Sequence, residues 1–344
     1  MGVMAVSHKA GAHGNGLGAI TRSLCLAAAL AAGGGVGACA APDERREAEV
    51  AAAEEASRCG EWVRAAALWH GIYFDDGGRN ELACRECARA LFFAGDADSA
   101  CAMIELGLAA SPRDPDLLEL HGRVLEANGY RRAAELSHSR AVAADPGRIY
   151  SLIALGRLRL QLGYEVAALE PLQRAVDLSG GSVEALSLLG RARAAGGEDA
   201  LAFEAYEGAA ELAEEFDADT LLAAATLGLK DSVRDVRADA AELAHGWAAE
   251  VVTREPQRTW AHILLGRASV LAGSFEAAVN HYRRAVETDP SNAEALADLA
   301  SLHARMGDSE AASDMVRRAL EVELDPARRT HLIELLDASP AGGS

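Results

Sequence analysis

Apolar and small residues return along this chain every 34 positions, with polar stretches between them. Glycine stands at Gly95, Gly129, Gly163 and Gly197, and again at Gly273 and Gly307. Five residues after each comes an alanine: Ala100, Ala134, Ala168, Ala202, Ala278 and Ala312. With Glu81 as the first place of a unit, the seventh holds Cys87, His121, Leu155, Leu189, Leu265 and Leu299, and the eighth Ala88, Gly122, Gly156, Gly190, Gly266 and Ala300. This pattern predicts a helix from about the second to the fourteenth place. The glycine at the fifteenth place ends it, because glycine adopts the left-handed C′ conformation without steric cost. A second helix follows and stops at Pro112, Pro146, Pro256 and Pro290, since proline cannot continue it. Its small residue at the twentieth place is expected to face the small residue at the eighth, where the two helices cross closely.

A fixed period of this length marks a stack of like helix pairs. Units are expected near 46–80, 81–114, 115–148, 149–182, 183–216, 259–292 and 293–326. Residues 217–258 span 42 positions, so that unit carries eight extra residues, expected as a lengthened loop or helix around Lys230–Asp239. Residues 327–337 form an amphipathic stretch that would cap the last apolar face, and 338–344 a disordered tail.

The frame resembles the tetratricopeptide repeat. Unit 259–292 carries the pattern best, in Leu265, Gly266, Gly273, Phe275, Ala278, Tyr282, Ala285 and Pro290; unit 46–80 keeps Gly60, Trp62, Ala65 and Trp69. The resemblance covers roughly 46–337. It implies an all-α fold, a right-handed α-solenoid of about eight helix-turn-helix repeats with a C-terminal capping helix. It also implies a concave groove lined by the first helix of each pair.

Residues 1–41 differ from the rest. They contain no acid, carry Lys9 and Arg22, and run apolar from Leu24 to Ala38. That is the layout of a secretory signal. Val36-Gly37-Ala38-Cys39 resembles the lipobox of bacterial lipoproteins, which implies cleavage after residue 38, lipid on Cys39 and a tether over 39–45. Ala40 after the lipidated cysteine is compatible with an outer-membrane, periplasmic-face location in a diderm cell. An ordinary signal or an anchor spanning 24–41 is the alternative.

The formal net charge is −19. It argues against nucleic acid, whose phosphates need basic partners. Only Lys9 and Lys230 are lysines, so arginine carries nearly all positive charge. Five arginines fall at the ninth place: Arg89, Arg123, Arg157, Arg191 and Arg267, with Ser301 the exception. The resemblance places them in the groove with Phe92, Phe93, Tyr150, Ile153, Trp260 and Ile263. Two readings stand. In one, the guanidinium forks receive an acidic or C-terminal-carboxylate peptide. In the other, each arginine pairs with an acid of an adjacent helix, such as Asp116, Glu119 or Glu184.

Cys84-Arg85-Glu86-Cys87 has redox spacing, but both cysteines fall at core places and no strand precedes them. Buried free thiols are therefore expected there. No two histidines stand at the i, i+4 spacing of a metal-binding helix, and no cofactor is expected. The expected function is a non-enzymatic scaffold that binds a protein or peptide partner. Its class is that of helical-repeat lipoproteins in envelope, pilus or export assembly. A self-associating structural subunit is the alternative, and a redox or metal enzyme a third.

Overall fold

The computed structural model describes residues 42–323 and 325–338. The signal segment 1–38, Cys39, the apolar run 24–41 and residues 339–344 lie outside the described residues. Eighteen helices and no strand occur among the described residues. The chain divides between Ala167 and Ala168 into two compact units.

In the first unit, α1 (Pro42–Arg58) pairs with α2 (Trp62–Asp75), α3 (Glu81–Phe93) with α4 (Ala97–Ala110), and α5 (Pro115–Ala127) with α6 (Arg131–Ala144). Helix α7 (Ile149–Gln161) then leads into α8 (Glu165–Ser179), which carries the chain into the second unit. There α9 (Val183–Ala195) pairs with α10 (Asp199–Leu212), and α11 (Ala218–Gly228) with α13 (Ala240–Arg254) across the one-turn α12 (Asp231–Arg234). Helices α14 (Thr259–Leu271) with α15 (Phe275–Thr288), and α16 (Ala293–Met306) with α17 (Ser309–Val322), complete the pairs before α18 (Pro326–Ala338). Pro42–Arg45, expected in the tether, form the first turn of α1 instead, with Asp43 and Glu44 at its positive end.

The six fifteenth-place glycines all have φ between 73° and 83°, and each closes the turn between paired helices. Helices α4, α6, α13 and α15 end two residues before the four prolines. Side-chain caps start several helices: Asn80 accepts from the Ala83 N–H, Asp114 from Asp116 and Leu117, and Asn292 from Ala295.

The residues flanking the first helices at their starts, Asn80, Asp114, Arg148, Ser182, Asp217, Arg258 and Asn292, are spaced by 34, 34, 34, 35, 41 and 34 residues. The extra residues are thus divided: one precedes α11, and the rest lie between Gly228 and Ala240, around α12. There Val233 is fully buried and joins Phe203, Leu227 and Ala240 in a local core.

Close helix crossing differs in one respect from the expectation of two small residues facing each other. What presses on Gly122, Gly190 and Gly266 is a ring from the second helix. A Cβ on Gly190 would lie 2.9 Å from the Tyr206 ring, and one on Gly122 or Gly266 would collide with His138 or Tyr282. A hydrogen is the only side chain that leaves room. The twentieth-place alanines are buried beside these contacts. At the C-terminal end, Leu332 of α18 is buried on Leu296, Ala300, Val316 and Ala319, which removes an apolar face from water.

Candidate functional site

Along each first helix the second, fifth and ninth places share one face, by the 3.6-residue turn. The structure shows how the arginines on that face are engaged. In the first unit, Arg89 bonds Glu86 one turn back on α3 at 2.7 Å. Arg157 is held by Glu126 of α5 at 3.0 Å. Asp116 and Glu119, expected as partners for ninth-place arginines, are taken by others. Asp116 bridges Arg85 (2.8 Å) and Arg148, and Arg148 also reaches Glu119 at 3.3 Å. Burial works against the charge on Asp116, but hydrogen bonds from Arg148 and Arg85 hold its carboxyl below the usual range.

Arg123 is different. Its guanidinium carbon lies 5.3 Å from the Phe92 ring centroid, 5.6 Å from Phe93 and 5.2 Å from Tyr150. Three π faces hold the cation, and no carboxylate lies within 4 Å of it among the described residues. Phe93 is 43% exposed and Tyr150 44%, and Trp62 stacks on Phe93 at 4.7 Å, which extends the aromatic surface. Gly122 admits the buried His138 ring, whose Nε2 donates to Glu126 at 2.9 Å. Glu126 thereby serves His138 and Arg157, and is withdrawn from Arg123 on its own helix.

In the second unit Arg267 stands at the same place in its repeat. Its Nε donates to Asp298 at 2.7 Å and its Nη2 to Glu294 at 2.6 Å, while Trp260 lies 5.3 Å from its guanidinium carbon. Trp260 itself donates to Thr226 at 3.1 Å. Burial pushes the Asp298 carboxyl up in spite of Arg267. Arg191 is exposed, with no ion-pair partner within 4 Å among the described residues. Ile153 and Ile263, expected on the groove face, are buried in the core instead.

Cys84 and Cys87 are free and buried, and their thiols donate to the Met103 and Ala66 carbonyls at 3.3 and 3.5 Å. Burial raises both thiols, Cys84 to about 11, so neither holds the thiolate that redox exchange uses. Cys59 is exposed and Cys101 half-buried, and both are free. Among the described residues no three metal-ligating side chains gather, and no helix is long and apolar enough to cross a membrane.

Sequence reasoning missed Arg85, Arg148, Trp62 and the His138–Glu126 support. For Arg267 a signal was available: the second place of the following repeat holds Glu294, whereas Tyr150 follows Arg123.

Residues 269–333 match the family model of the tetratricopeptide repeat. No curated protein matches the chain. Among solved structures, PilF of Pseudomonas aeruginosa superimposes with a TM-score of 0.51 at 18% identity, over 64% of this chain and 96% of that one. YrrB, a tetratricopeptide-repeat protein with an unusual peptide-binding site, gives 0.47 at 18% identity, over 57% and 97%. A tetratricopeptide-repeat protein from Parabacteroides merdae gives 0.46 at 16%, over 76% and 99%. Likeness at this identity concerns the fold alone. Residues 269–333 thus carry the tetratricopeptide repeat, and the recurring helix pairs and glycine turns repeat its architecture along the described residues.

Proposed function

We propose that this protein is a non-enzymatic scaffold that binds a protein partner on the face of its first helices, chiefly around Arg123. The observation that carries this reading is the Arg123 cluster. It joins a cation without a carboxylate partner to two exposed rings, the residue types that dominate binding hot spots. Arg191, exposed and without an ion pair, is the second place where a ligand acid would find a free guanidinium. The other ninth-place arginines, Arg89, Arg157 and Arg267, serve the protein's own acids.

The scaffold is held to a membrane on the extracytoplasmic side through lipid on Cys39, in the class of envelope, pilus or export assembly. The support is the sequence Val36-Gly37-Ala38-Cys39 behind an acid-free, apolar segment. One lipidated residue close to the first helix would keep the repeats near the bilayer.

Two measurements test these statements. The full chain, used as bait in native membranes, is expected to retain a partner that Arg123→Ala loses and Arg267→Ala keeps. A partner retained equally by both variants would move the binding face elsewhere, and a concentration-dependent mass without a partner would favour self-association. Cys39→Ala is expected to release the protein from membranes or leave it unprocessed; unchanged fractionation and migration would end the lipoprotein reading.

A further inference from the structure

We infer that the Arg123 surface receives an α-helix of the partner, one that presents two carboxylates four residues apart beside an apolar residue. This rests on the Arg123 face being the binding face, and goes further by naming what docks there. The second unit supplies the precedent. Arg267 is gripped at two edges by Glu294 and Asp298, which lie four residues apart on the single helix α16. Side chains at that spacing are neighbours on one helix face, and together they satisfy one planar guanidinium fork.

The same register around Arg123 lacks those acids. Places 27 and 31 residues beyond Arg267 are Glu294 and Asp298; the same steps beyond Arg123 reach Tyr150 and Ala154. The ring of Tyr150 supports the cation but accepts nothing from its N–H groups. Arg123 is therefore held in place with its donors unspent, while Trp62, Phe93 and Tyr150 offer apolar surface beside it.

Charge complementarity selects an acidic occupant. On α3, α5 and α7 the other arginines are matched within the first unit: Arg85 by Asp116, Arg89 by Glu86, Arg157 by Glu126 and Arg159 by Glu135. Arg123 is the cation left for a partner among the described residues of those helices.

The probe is a fluorescein-labelled peptide of residues 293–306, bridged on its far side to stay helical, so that Glu294 and Asp298 lie on the free face. Its twin carries Glu294→Gln and Asp298→Asn. Anisotropy titrations use the full chain in detergent. The acidic helix is expected to bind, and its twin at least about tenfold more weakly. Arg123→Ala and Arg123→Gln, checked for helicity, should each lose at least about tenfold, and Arg267→Ala should bind like the parent. Equal binding of the two peptides, no binding of either, or no loss in both Arg123 variants overturns the inference. If partner retention from membranes still depends on Arg123 when the helical peptide fails, the binding face stands and the acidic-helix inference falls. The same holds if only an unbridged, extended acidic peptide binds.

Discussion

Arg123 in the first unit and Arg267 in the second occupy the same place in their repeats and sit against aromatic rings, yet they have opposite fates. Arg267 is closed on both edges by α16 and belongs to the fold. Arg123 is braced by three rings and has no ion-pair partner among the described residues. The difference comes from the next repeat, where Tyr150 and Ala154 stand in place of Glu294 and Asp298. One repeat geometry thus yields either a structural clamp or an open recognition surface. The acids on the neighbouring helix decide which.

The largest effects are expected where a ring fills the eighth-place gap. Gly266→Ala would drive a methyl into Tyr282 and should cost about 1–3 kcal/mol of stability by overpacking. Binding at Arg123 should stay intact. Gly122→Ala should cost a similar amount and also weaken binding, because the His138 ring it displaces holds Glu126, which is then released to pair with Arg123 one turn back on the same helix. Thermal denaturation and the peptide titration separate the two. If both variants affect binding equally, the two clusters are not independent.

Exchanging the roles of the arginines comes next. Arg267→Ala leaves Asp298 and Glu294 without their donor, and should cost about 2 kcal/mol of stability. Partner affinity should not move. Arg123→Ala should show the reverse, with affinity down at least about tenfold and stability down by no more than about 1 kcal/mol. Loss of stability in Arg123→Ala without loss of binding would make both arginines structural.

A smaller change converts one site toward the other. Tyr150→Glu places an acid at the position Glu294 holds relative to Arg267. It should pair with Arg123, change stability by less than about 1 kcal/mol, and reduce affinity for an acidic ligand. Unchanged affinity would show that the following repeat does not control the fork.

The smallest expected effect is in the pH dependence, where the two units should differ in sign. Asp116 has a folded pKa held below its ordinary value. Its contribution is therefore full above about pH 4 and is lost as pH falls through the lower folded value. Asp298 has a folded pKa raised by burial. Its contribution is full below the ordinary carboxylate value and declines as pH rises through the folded one. The gap in melting temperature between parent and Asp116→Asn should shrink on acidification. The gap between parent and Asp298→Asn should shrink as pH rises above the ordinary carboxylate range. Parallel trends would show that burial does not dominate at Asp298.

The periodic residues were legible because each does its work locally. A left-handed turn needs glycine at Gly95 or Gly307 whatever surrounds it, and a proline stops a helix in any context. Cys84 and Cys87 were legible as buried thiols from their register alone. The site was less legible. The ninth-place column reads as five equal arginines, and two of the three acids proposed for them, Asp116 and Glu119, bond Arg85 and Arg148 instead. Arg148 immediately precedes its helix, where the repeat pattern imposes no residue type, so the pattern did not announce it. The Gly122–His138 contact joins two helices through a ring that stands where two other repeats have Tyr206 and Tyr282.

By itself the sequence determined the helix pairs, their turns and the 34-residue beat, because these follow from backbone conformation and the burial of one face per helix. It also placed most of the extra residues between the sixth pair of helices. Only the tertiary structure decided which arginine is spent and which is available. For Arg157 and Arg267 that choice depends on distances of 2.6 to 3.0 Å between side chains of different repeats. Register brings such side chains near one another, and only packing brings them into bonding contact.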